Sequence, residues 1–525
     1  MTAPAALANP GMVTLTIEGR EVVVPPGTNL IEAAKTVGVL IPHYCYHPTL
    51  PVAGVCRMCL VEVEKFPKLT PACATTVGEG QVVHVHSEKA REARKGVLEF
   101  LLINHPLDCP ICDQSGECEL QDYTFAEGRK DSRYMEPKRF NPMEDFGGDV
   151  MYVPNRCILC TRCVRFMDVV AHDPVLNVSE RGDRAYIGKF EGSDLTHEWA
   201  SNVVDLCPVG ALLSKDFLNK ARAWELDRAA SICPSCSQGC NVMLETRDDI
   251  VVRIRPRPNA QVNQHFACNT GRLNYRWINR RDRLQYPMAR VADALAQTSW
   301  DAALDVASAA IRHATRVTVL ASPSLSNEAL YILSQLAQHV GATSLMTIER
   351  GPEAPLAGVK DLSLRAERAA NHTGAALLGF SESDAPVVSL GAGDLLLVVD
   401  AATAVASVPS GVDVIVIGTL LTDALASLAL VALPIANYAE EDGTFTNLRG
   451  RVQRFLQAKA PPAQARPSYR ALADVAQRVG AGEYPMLAGD VFHKLANGVP
   501  AFAGMSYRSL GLQGAVVSAP IEALV

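Results

Sequence analysis

The sequence predicts a multidomain protein that is α+β in its first half and α/β in its second half. Three observations lead to this fold class. The chain has 525 residues, several times the size of one ordinary domain. Its opening residues alternate like a β-hairpin. From about Arg316 onward, unbroken apolar runs alternate with helical patterns, as in parallel strands joined by helices.

The N-terminal segment predicts two strands followed by a helix. Residues 13–18 alternate apolar and polar side chains, a turn follows, and residues 22–24 return as a second strand. Thr28 is positioned to cap a short helix with an apolar face over residues 30–34. Because a cysteine-containing loop comes next, we interpret this segment as a small β-grasp unit.

The residue pattern in the middle of the chain predicts one longer helix, followed by a region with little regular structure. Residues 88–104 form an amphipathic pattern, with apolar side chains between residues 97 and 102 and charged ones opposite. From His105 to about Ala223 the chain is rich in loops and cysteines, so only short helices are expected there.

The second half predicts a doubly wound α/β domain. Residues 317–321 form a buried strand, after which Ser326 caps a helix that Gly341 ends. Further strands are expected at Leu395–Val399 and Val414–Ile417, and residues 458–468 have the composition of a surface linker. Strands and helices that alternate in this way favour a parallel sheet covered on both faces.

Composition excludes several classes of protein. The chain carries 49 basic and 56 acidic residues, and this weak negative charge argues against general binding to nucleic acid or anionic membranes. The longest apolar run, Ala424–Ala439, is too short to span a bilayer and is broken by Pro434. The first residues lack the basic and apolar regions of a secretory signal, so a protein of a reducing compartment is expected.

All fifteen cysteines lie between Cys45 and Cys268, and they fall into groups of four, three, four and four. The groups are Cys45, Cys56, Cys59 and Cys73; Cys109, Cys112 and Cys118; Cys157, Cys160, Cys163 and Cys207; and Cys233, Cys236, Cys240 and Cys268. Each group contains a C-x2-C pair, which brings two thiolates onto one loop. An odd cysteine count in a large chain fits metal–thiolate sites better than disulfides.

The spacings favour iron–sulfur clusters at these groups. The first resembles the ferredoxin pattern for [2Fe–2S], although its first interval is longer. The third has the C-x2-C-x2-C and distant Cys-Pro of bacterial [4Fe–4S] ferredoxins, and the fourth also supplies four ligands for one [4Fe–4S] cluster. Zinc is the alternative at the first, third and fourth groups, since four cysteines also suit a structural zinc site.

The second group is one thiolate short, and His105 is the nearest candidate for the fourth ligand of a [4Fe–4S] cluster. A neutral imidazole in place of an anionic thiolate raises the reduction potential, as in Rieske centres. The competing hypothesis is that His105 caps the preceding helix. The fourth ligand is then water or a more distant residue, with Asp108 and Asp113 the first carboxylates to consider.

Four clusters in about 225 residues indicate a conductor of single electrons rather than an isolated catalytic centre. Residues 251–290 hold nine arginines and a single acid, Asp282. We interpret this basic stretch as charge balance for anionic clusters combined with docking to partner subunits. A solvated face or a nucleic-acid patch are the alternatives.

Several motifs are similar to those of one family, the large iron–sulfur (G) subunits of respiratory NADH–quinone oxidoreductase (complex I). They lie at residues 51–59, 108–122, 155–165, 205–212, 440–453 and 499–504. The resemblance covers most of the chain and implies an electron-transfer subunit of a proton-translocating oxidoreductase, without a substrate site of its own. It assigns one [2Fe–2S] and two [4Fe–4S] clusters to the first three groups. The fourth [4Fe–4S] cluster is a feature of some bacterial members.

The resemblance also implies partners and a location. Electrons would arrive from a flavin-binding subunit that oxidises NADH and leave toward quinone through a small ferredoxin-like [4Fe–4S] subunit, beside other subunits of the peripheral arm. The expected location is the cytoplasmic face of the bacterial inner membrane, without a membrane span or nucleic acid. An iron–sulfur subunit of an NAD-linked formate dehydrogenase or hydrogenase complex is the alternative, and a zinc-binding scaffold is the non-catalytic one.

The last part of the chain resembles a shortened molybdopterin oxidoreductase fold. No cysteine follows Cys268 to bind molybdenum, and nothing singles out Ser324 or another oxygen, so no molybdopterin is expected. The predicted domains are a [2Fe–2S] ferredoxin-like β-grasp domain (1–95), a His-Cys [4Fe–4S] segment (96–145), a [4Fe–4S] ferredoxin-like domain (146–225), a molybdopterin-oxidoreductase-type [4Fe–4S] domain (226–285) and an α/β scaffold (286–525).

Overall fold

A computed structural model describes residues 11–518, which form two compact units. The first unit comprises the described residues up to Glu225 together with Leu356–Lys360. The second comprises Leu226–Pro355 and the described residues from Asp361 onward. The extreme N-terminal residues, which bear on the prediction about a secretory signal, lie outside the described part of the chain.

The first unit opens with a five-stranded sheet in the order β2-β1-β5-β3-β4. Its elements are β1 (Val13–Ile17), β2 (Arg20–Val24), α1 (Leu30–Thr36), β3 (Leu60–Val63), β4 (Thr70–Pro71) and β5 (Val82–His84). The predicted hairpin of β1 and β2 is confirmed, and β1 also pairs in parallel with β5. The predicted cap of α1 is wrong by one residue. Asn29 accepts a hydrogen bond from the Glu32 N–H, whereas the Thr28 hydroxyl donates to the Pro25 carbonyl.

The predicted amphipathic helix is confirmed as α2 (Glu88–Leu102). The Ser87 hydroxyl accepts from the Ala90 N–H and caps the helix. Charged residues are expected on the exposed face of this helix, but Arg94 is fully buried. Its guanidinium donates to the Val85 carbonyl at 2.8 Å and pairs with Glu127 at 3.1 Å.

The remainder of the first unit is loop-rich with short elements, as predicted. They are α3 (Glu119–Glu127), β6 (Glu144–Gly147), β7 (Val150–Tyr152), α4 (Arg162–Arg165), β8 (Leu176–Ser179), β9 (Tyr186–Lys189), α5 (Asn202–Leu206) and β10 (Leu212–Ser214). A π-helical turn, Phe166–Val170, continues α4. β7 is paired with β6 on one side and β10 on the other.

The second unit begins with a three-stranded antiparallel sheet and a short helix. These are β11 (Asp227–Ile232), β12 (Asn241–Arg247), β13 (Ile250–Pro256) and α6 (Asn269–Leu273). Asn241 anchors this part of the unit, because its side-chain amide donates to the Gln453 side chain at 2.5 Å.

The body of the second unit is an eight-stranded sheet in the order β15-β14-β23-β22-β21-β16-β17-β20. Its strands are β14 (Met288–Val291), β15 (Ala294–Gln297), β16 (Val317–Ala321), β17 (Thr343–Met346), β20 (Ser381–Glu382), β21 (Leu395–Val399), β22 (Asp413–Gly418) and β23 (Ala429–Pro434). All pairings from β23 to β20 are parallel. Two short ladders lie apart from it, β18 (Ala354–Pro355) with β19 (Ser363–Leu364), and β24 (Gly443–Thr446) with β25 (Arg451–Phe455) and β26 (Ala515–Val516).

Helices cover both faces of this sheet. They are α7 (Trp300–His313), α8 (Asn327–Val340), α9 (His372–Leu377), α10 (Asp423–Leu428), α11 (Ser468–Val479), α12 (Ala488–Gly498) and α13 (Tyr507–Leu510). Alternate residues of one strand enter opposite cores. Leu397 packs in the cluster with α7, α8, α11 and α12, and Leu396 packs in the cluster with α10.

Two sequence predictions for the second unit are confirmed in detail. Ser326 caps α8, and Gly341 ends it with φ +65°, a left-handed conformation that glycine adopts without strain. The apolar run Ala424–Ala439 divides between α10 and β23. Within residues 11–518, no helix is both long and apolar enough to cross a membrane.

Candidate metal centres

The first site brings together Cys45, Cys56, Cys59 and Cys73. The thiols interact directly: Cys56 and Cys73 hydrogen-bond to the Cys45 sulfur and lower its pKa, and Cys73 likewise lowers the pKa of Cys59. All but Cys56 are buried. The four sulfurs of the predicted set therefore lie together, linked through Cys45 and Cys73.

Backbone N–H groups also point at these sulfurs. Val55 and Cys56 donate to the Cys45 sulfur, and Met58 donates to Cys56. The loop achieves this by turning through left-handed conformations at Gly54, φ +63°, and Arg57, φ +59°. A non-glycine residue held in that conformation is strained and persists where its surroundings fix it. The loop is therefore shaped to hold negative charge on sulfur.

The second site gathers its three cysteines but places them differently with respect to solvent. Cys109 is exposed, Cys118 is half-buried and Cys112 is buried. Burial raises the pKa of Cys118 to about 11, and the charges of Cys112 and Cys109 add to the effect. The Leu120 and Gln121 N–H groups at the start of α3 donate to the Cys118 sulfur.

His105 lies near this site with a ring nitrogen available. Its Nδ1 is buried and has no hydrogen-bond partner among the described residues. Burial, with Lys138 and Arg156 next in effect, lowers the pKa of His105 to about 4, so the ring is neutral at pH 7. No contact between His105 and the three sulfurs is found in the described part of the chain. Its role as a ligand therefore stays a prediction.

The two carboxylates considered as alternative ligands already have partners. Asp108 forms an ion pair with Arg156 at 2.9 Å. Asp113 is buried and accepts a hydrogen bond from the Asn219 N–H at 2.9 Å. Replacing either partner by iron would break an existing structural contact, which favours His105.

The third site is a small cavity whose lining includes Cys157, Cys160, Cys163 and Cys207. Burial raises the pKa of Cys157 and Cys207 to about 11 and that of Cys160 to about 12. Buried thiols of this kind are stable as thiolates only beside a positive centre, which a metal supplies. The set of four buried thiols therefore fits an iron–sulfur cluster.

Tyr152 completes the wall of the third site. Its side chain is almost wholly buried, and its hydroxyl hydrogen-bonds to the Cys157 sulfur. No sequence pattern signals this contact, because Tyr152 lies in a short strand outside the cysteine motif. A hydroxyl that donates a hydrogen bond to a ligand sulfur is one of the features that set the reduction potential of a cluster.

Gly210 joins the second and third sites in the first unit. It follows Cys207 in the Cys-Pro loop, and a Cβ atom built on it would lie 2.2 Å from the Cys112 sulfur. No real Cβ contact is that short, so only glycine allows the backbone to approach this ligand. The Glu119 N–H, beside Cys118, also donates to the Pro208 carbonyl at 3.1 Å.

The fourth site lies at the start of the second unit. The pKa of Cys240 is raised by burial and by the charges of Cys233, Cys236 and Cys268. Gly271 packs closely here, since a Cβ on it would lie 2.9 Å from the Cys233 sulfur. All four cysteines of the predicted group are buried and lie together.

Arginines from outside the basic stretch lie next to two of the cysteine sites. Against the larger effect of burial, the charges of Arg162 and Arg165 lower the pKa of Cys160 in the third site, and those of Arg365 and Arg368 lower the pKa of Cys236 in the fourth.

Members of the 251–290 stretch form contacts elsewhere within the second unit. Arg283 forms a buried pair with Glu440, Arg257 donates to Leu512 and Asn241, and Arg290 donates to Ala426 and Ala429. These three arginines of the stretch therefore make structural contacts within the second unit.

Within residues 11–518, no group of three or more His, Cys, Asp or Glu side chains is arranged to hold one metal ion.

Five protein families match the chain in succession. Residues 11–88 match the 2Fe-2S iron-sulfur cluster binding domain, and residues 94–133 match the NADH-ubiquinone oxidoreductase-G iron-sulfur binding region. Residues 147–213 match the ferredoxin-like domain of NADH-quinone oxidoreductase subunit 3. Residues 227–280 match the molybdopterin oxidoreductase Fe4S4 domain, and residues 283–401 and 397–478 match molybdopterin oxidoreductase.

Curated relatives carry consistent names. The G subunit of NADH-quinone oxidoreductase from Rickettsia bellii is 40% identical over 335 residues, 63% of this chain and 49% of the relative. The mitochondrial NADH-ubiquinone oxidoreductase 78 kDa subunit of Candida albicans is 40% identical over 341 residues, 64% of this chain and 47% of the relative. The chain thus spans about half the length of the curated relatives it matches. A solved NAD+-reducing [NiFe]-hydrogenase is 29% identical over 40% of this chain and 90% of its own, with a TM-score of 0.36.

The fold and the matched families define an iron–sulfur protein of the oxidoreductase class, with 2Fe-2S and 4Fe-4S domains ahead of a molybdopterin-oxidoreductase-type domain. Within that class, the chain is homologous to the large iron–sulfur (G) subunits of NADH-quinone oxidoreductase, and the resemblance found in its motifs is confirmed.

Proposed function

We propose that the chain holds one [2Fe–2S] cluster and three [4Fe–4S] clusters. The ligands are Cys45, Cys56, Cys59 and Cys73 for the first; His105, Cys109, Cys112 and Cys118 for the second; Cys157, Cys160, Cys163 and Cys207 for the third; and Cys233, Cys236, Cys240 and Cys268 for the fourth. The observation that carries the proposal is that each cysteine set, separated in sequence by up to 43 intervening residues, comes together in space.

The chain relays single electrons within an NADH–quinone oxidoreductase, from a flavin-binding subunit that oxidises NADH toward a ferredoxin-like [4Fe–4S] subunit and quinone. When bound, an iron–sulfur cluster accepts and releases one electron. The chain's own residues hold the sulfur ligands, exclude water from them and supply donors to their charge. The homology to the large iron–sulfur subunits of that enzyme supports this assignment.

Proton translocation belongs to the whole complex, and the chain lies in the peripheral arm at the cytoplasmic face of the bacterial inner membrane. The N-terminal sheet serves as a β-grasp domain and the parallel sheet of the second unit as a doubly wound scaffold without molybdopterin. The absence of any cysteine after Cys268 supports the last point, because no thiolate remains for molybdenum.

Metal analysis tests the assignment. The full chain, purified without oxygen, is expected to contain about 14 irons and 14 sulfides, which follows from one two-iron and three four-iron clusters. Reduced samples should give EPR signals of both cluster types. About four equivalents of zinc with little iron would instead indicate structural zinc sites and overturn the proposal, and molybdenum in stoichiometric amount would overturn the absence of molybdopterin.

A further inference from the structure

One buried guanidinium lies where the ligand loops of three candidate clusters converge. Arg162 stands between Cys160 and Cys163 in the third site and is 4% exposed. Its Nη2 donates to the Tyr46 carbonyl at 2.9 Å, directly after Cys45 of the first site. Its Nη1 donates to the Leu206 carbonyl at 3.2 Å, directly before Cys207.

The same guanidinium reaches the second site through a carboxylate. Glu119 follows Cys118, and its two oxygens accept from Nη1 at 3.3 Å and Nη2 at 3.4 Å. Arg162 therefore contacts a residue adjacent to a ligand in each of the three sites. The ordinary interpretation of such a residue is a structural arginine that satisfies buried carbonyls.

Two observations go beyond that interpretation. The Nε–H of Arg162 is buried and has no acceptor within residues 11–518, so one donor remains after every protein partner is satisfied. The loop that carries Arg162 is also strained, because Leu159 and Thr161 both take left-handed conformations at φ +52° and +59°. A strained loop that presents an unused donor beside cluster ligands is typical of a functional site.

We propose that Arg162 is a positioning residue for electron transfer among the first three clusters. This inference rests on the proposed function. The guanidinium fixes the three ligand loops relative to one another, and its charge lies near all three sites within the protein interior. Reduction adds one negative charge to a cluster, and a nearby fixed positive charge at low dielectric favours that reduced form.

The chemistry requires arginine rather than lysine. Its planar fork makes several separate hydrogen bonds in fixed directions, whereas an ammonium group is a point charge on a flexible stem. Arg165 makes similar contacts to two of the three sites. It donates to the Cys45 carbonyl of the first site at 2.5 Å and to the Cys160 carbonyl of the third at 3.1 Å.

The test is an EPR-monitored redox titration of the full chain with its clusters in place. Arg162→Gln should lower the potential of the third cluster and of at least one other. The ratio of reduced to oxidised cluster at a fixed ambient potential should fall about tenfold, which is 59 mV for a one-electron couple. Arg162→Lys should restore most of this ratio, because lysine carries the same positive charge. It should still change the magnetic interaction between clusters, because lysine lacks the planar guanidinium that fixes the loops.

Two further variants keep the test decisive if Arg162→Gln fails to load iron. Arg165→Gln should shift the first and third clusters and spare the second. Arg184→Gln is the control, since Arg184 is an exposed arginine of the same unit, and it should leave all clusters unchanged.

Unchanged potentials and magnetic interactions in all Arg162 and Arg165 variants would overturn the inference. A change confined to the third cluster would also overturn it, since the effect would then be local to one loop. The two proposals fail separately: wild-type chain without iron–sulfur signals refutes the proposed function, whereas intact wild-type signals with silent variants refute the role of Arg162 alone.

Discussion

At the scale of single residues, the candidate sites contain buried polar atoms that have no hydrogen-bond partner within the described part of the chain. These atoms are the His105 Nδ1 and the Arg162 Nε–H. An unpartnered buried polar atom is costly and therefore needs a reason. Next to sets of thiols, the simplest reason is that each atom meets a bound cluster.

His105 gives the sharpest prediction for one side chain. His105→Cys should keep a four-iron cluster at the second site but lower its potential, because an anionic thiolate replaces a neutral imidazole. His105→Ala should lose or convert that cluster. EPR titration of both variants measures the effect, and His86→Ala, an exposed histidine of the same unit, serves as the control.

An unchanged signal and potential for the second cluster in His105→Ala would show that His105 is not a ligand. The fourth ligand would then have to displace an existing contact, either the Arg156 pair of Asp108 or the Asn219 hydrogen bond of Asp113.

Sequence spacing could predict the ligands but not the residues around them. A C-x2-C pair is local, so the pattern itself places two sulfurs on one loop. The contacts of Arg162, Gly210 and Tyr152 join segments that are about 5 to 116 residues apart. Such proximity is created by the tertiary fold, and no local periodicity reports it.

At the scale of helices and strands, α8 also combines features that a sequence can predict with one that it cannot. Its cap at Ser326 and its end at Gly341 were predictable, since both depend on local backbone chemistry. The burial of Glu328 in its first turn was not, because an acid at a helix start is normally solvated. Glu328 accepts from the Thr444 N–H at 2.9 Å and the Tyr507 hydroxyl at 2.8 Å.

Glu328 and Glu441 make the stability of the second unit depend on pH. Burial raises the pKa of Glu328 to about 7 and that of Glu441 to about 8, above the usual 4.5. The folded chain thus holds these protons more tightly than the unfolded chain. Their contribution to the free energy of unfolding is full below about pH 4.5 and is lost as the pH rises through about 7 to 8.

We expect this loss to be on the order of 3 kcal/mol for Glu328, at about 1.4 kcal/mol per pKa unit. Urea unfolding of the full chain between pH 5 and 8.5, followed by circular dichroism, measures it. The double variant Glu328→Gln, Glu441→Gln should flatten the profile, and exposed Glu483→Gln should not. A wild-type free energy of unfolding that rises across this range would contradict the prediction.

At the scale of the whole molecule, the two units differ in what holds them together. In the second unit, β16, β21 and β22 are almost entirely buried and lie between two apolar clusters. In the first unit between residues 105 and 225, α3 has nine residues, α5 has five and α4 has four. Helices this short are not stable alone and need tertiary contacts.

Removal of iron should therefore unfold the chain unevenly. When a metal binds ligands that are distant in sequence, the free energy of binding stabilises the fold of the segments between those ligands. After treatment with a reductant and an iron chelator, limited proteolysis should cut first within residues 105–225 and around the fourth site. The sheet and helices from Trp300 onward, which have their own apolar cores, should resist, as should the whole metal-loaded chain. First cleavage within α7 or α8, or equal digestion of both units, would show that the clusters do not hold the loop-rich region together.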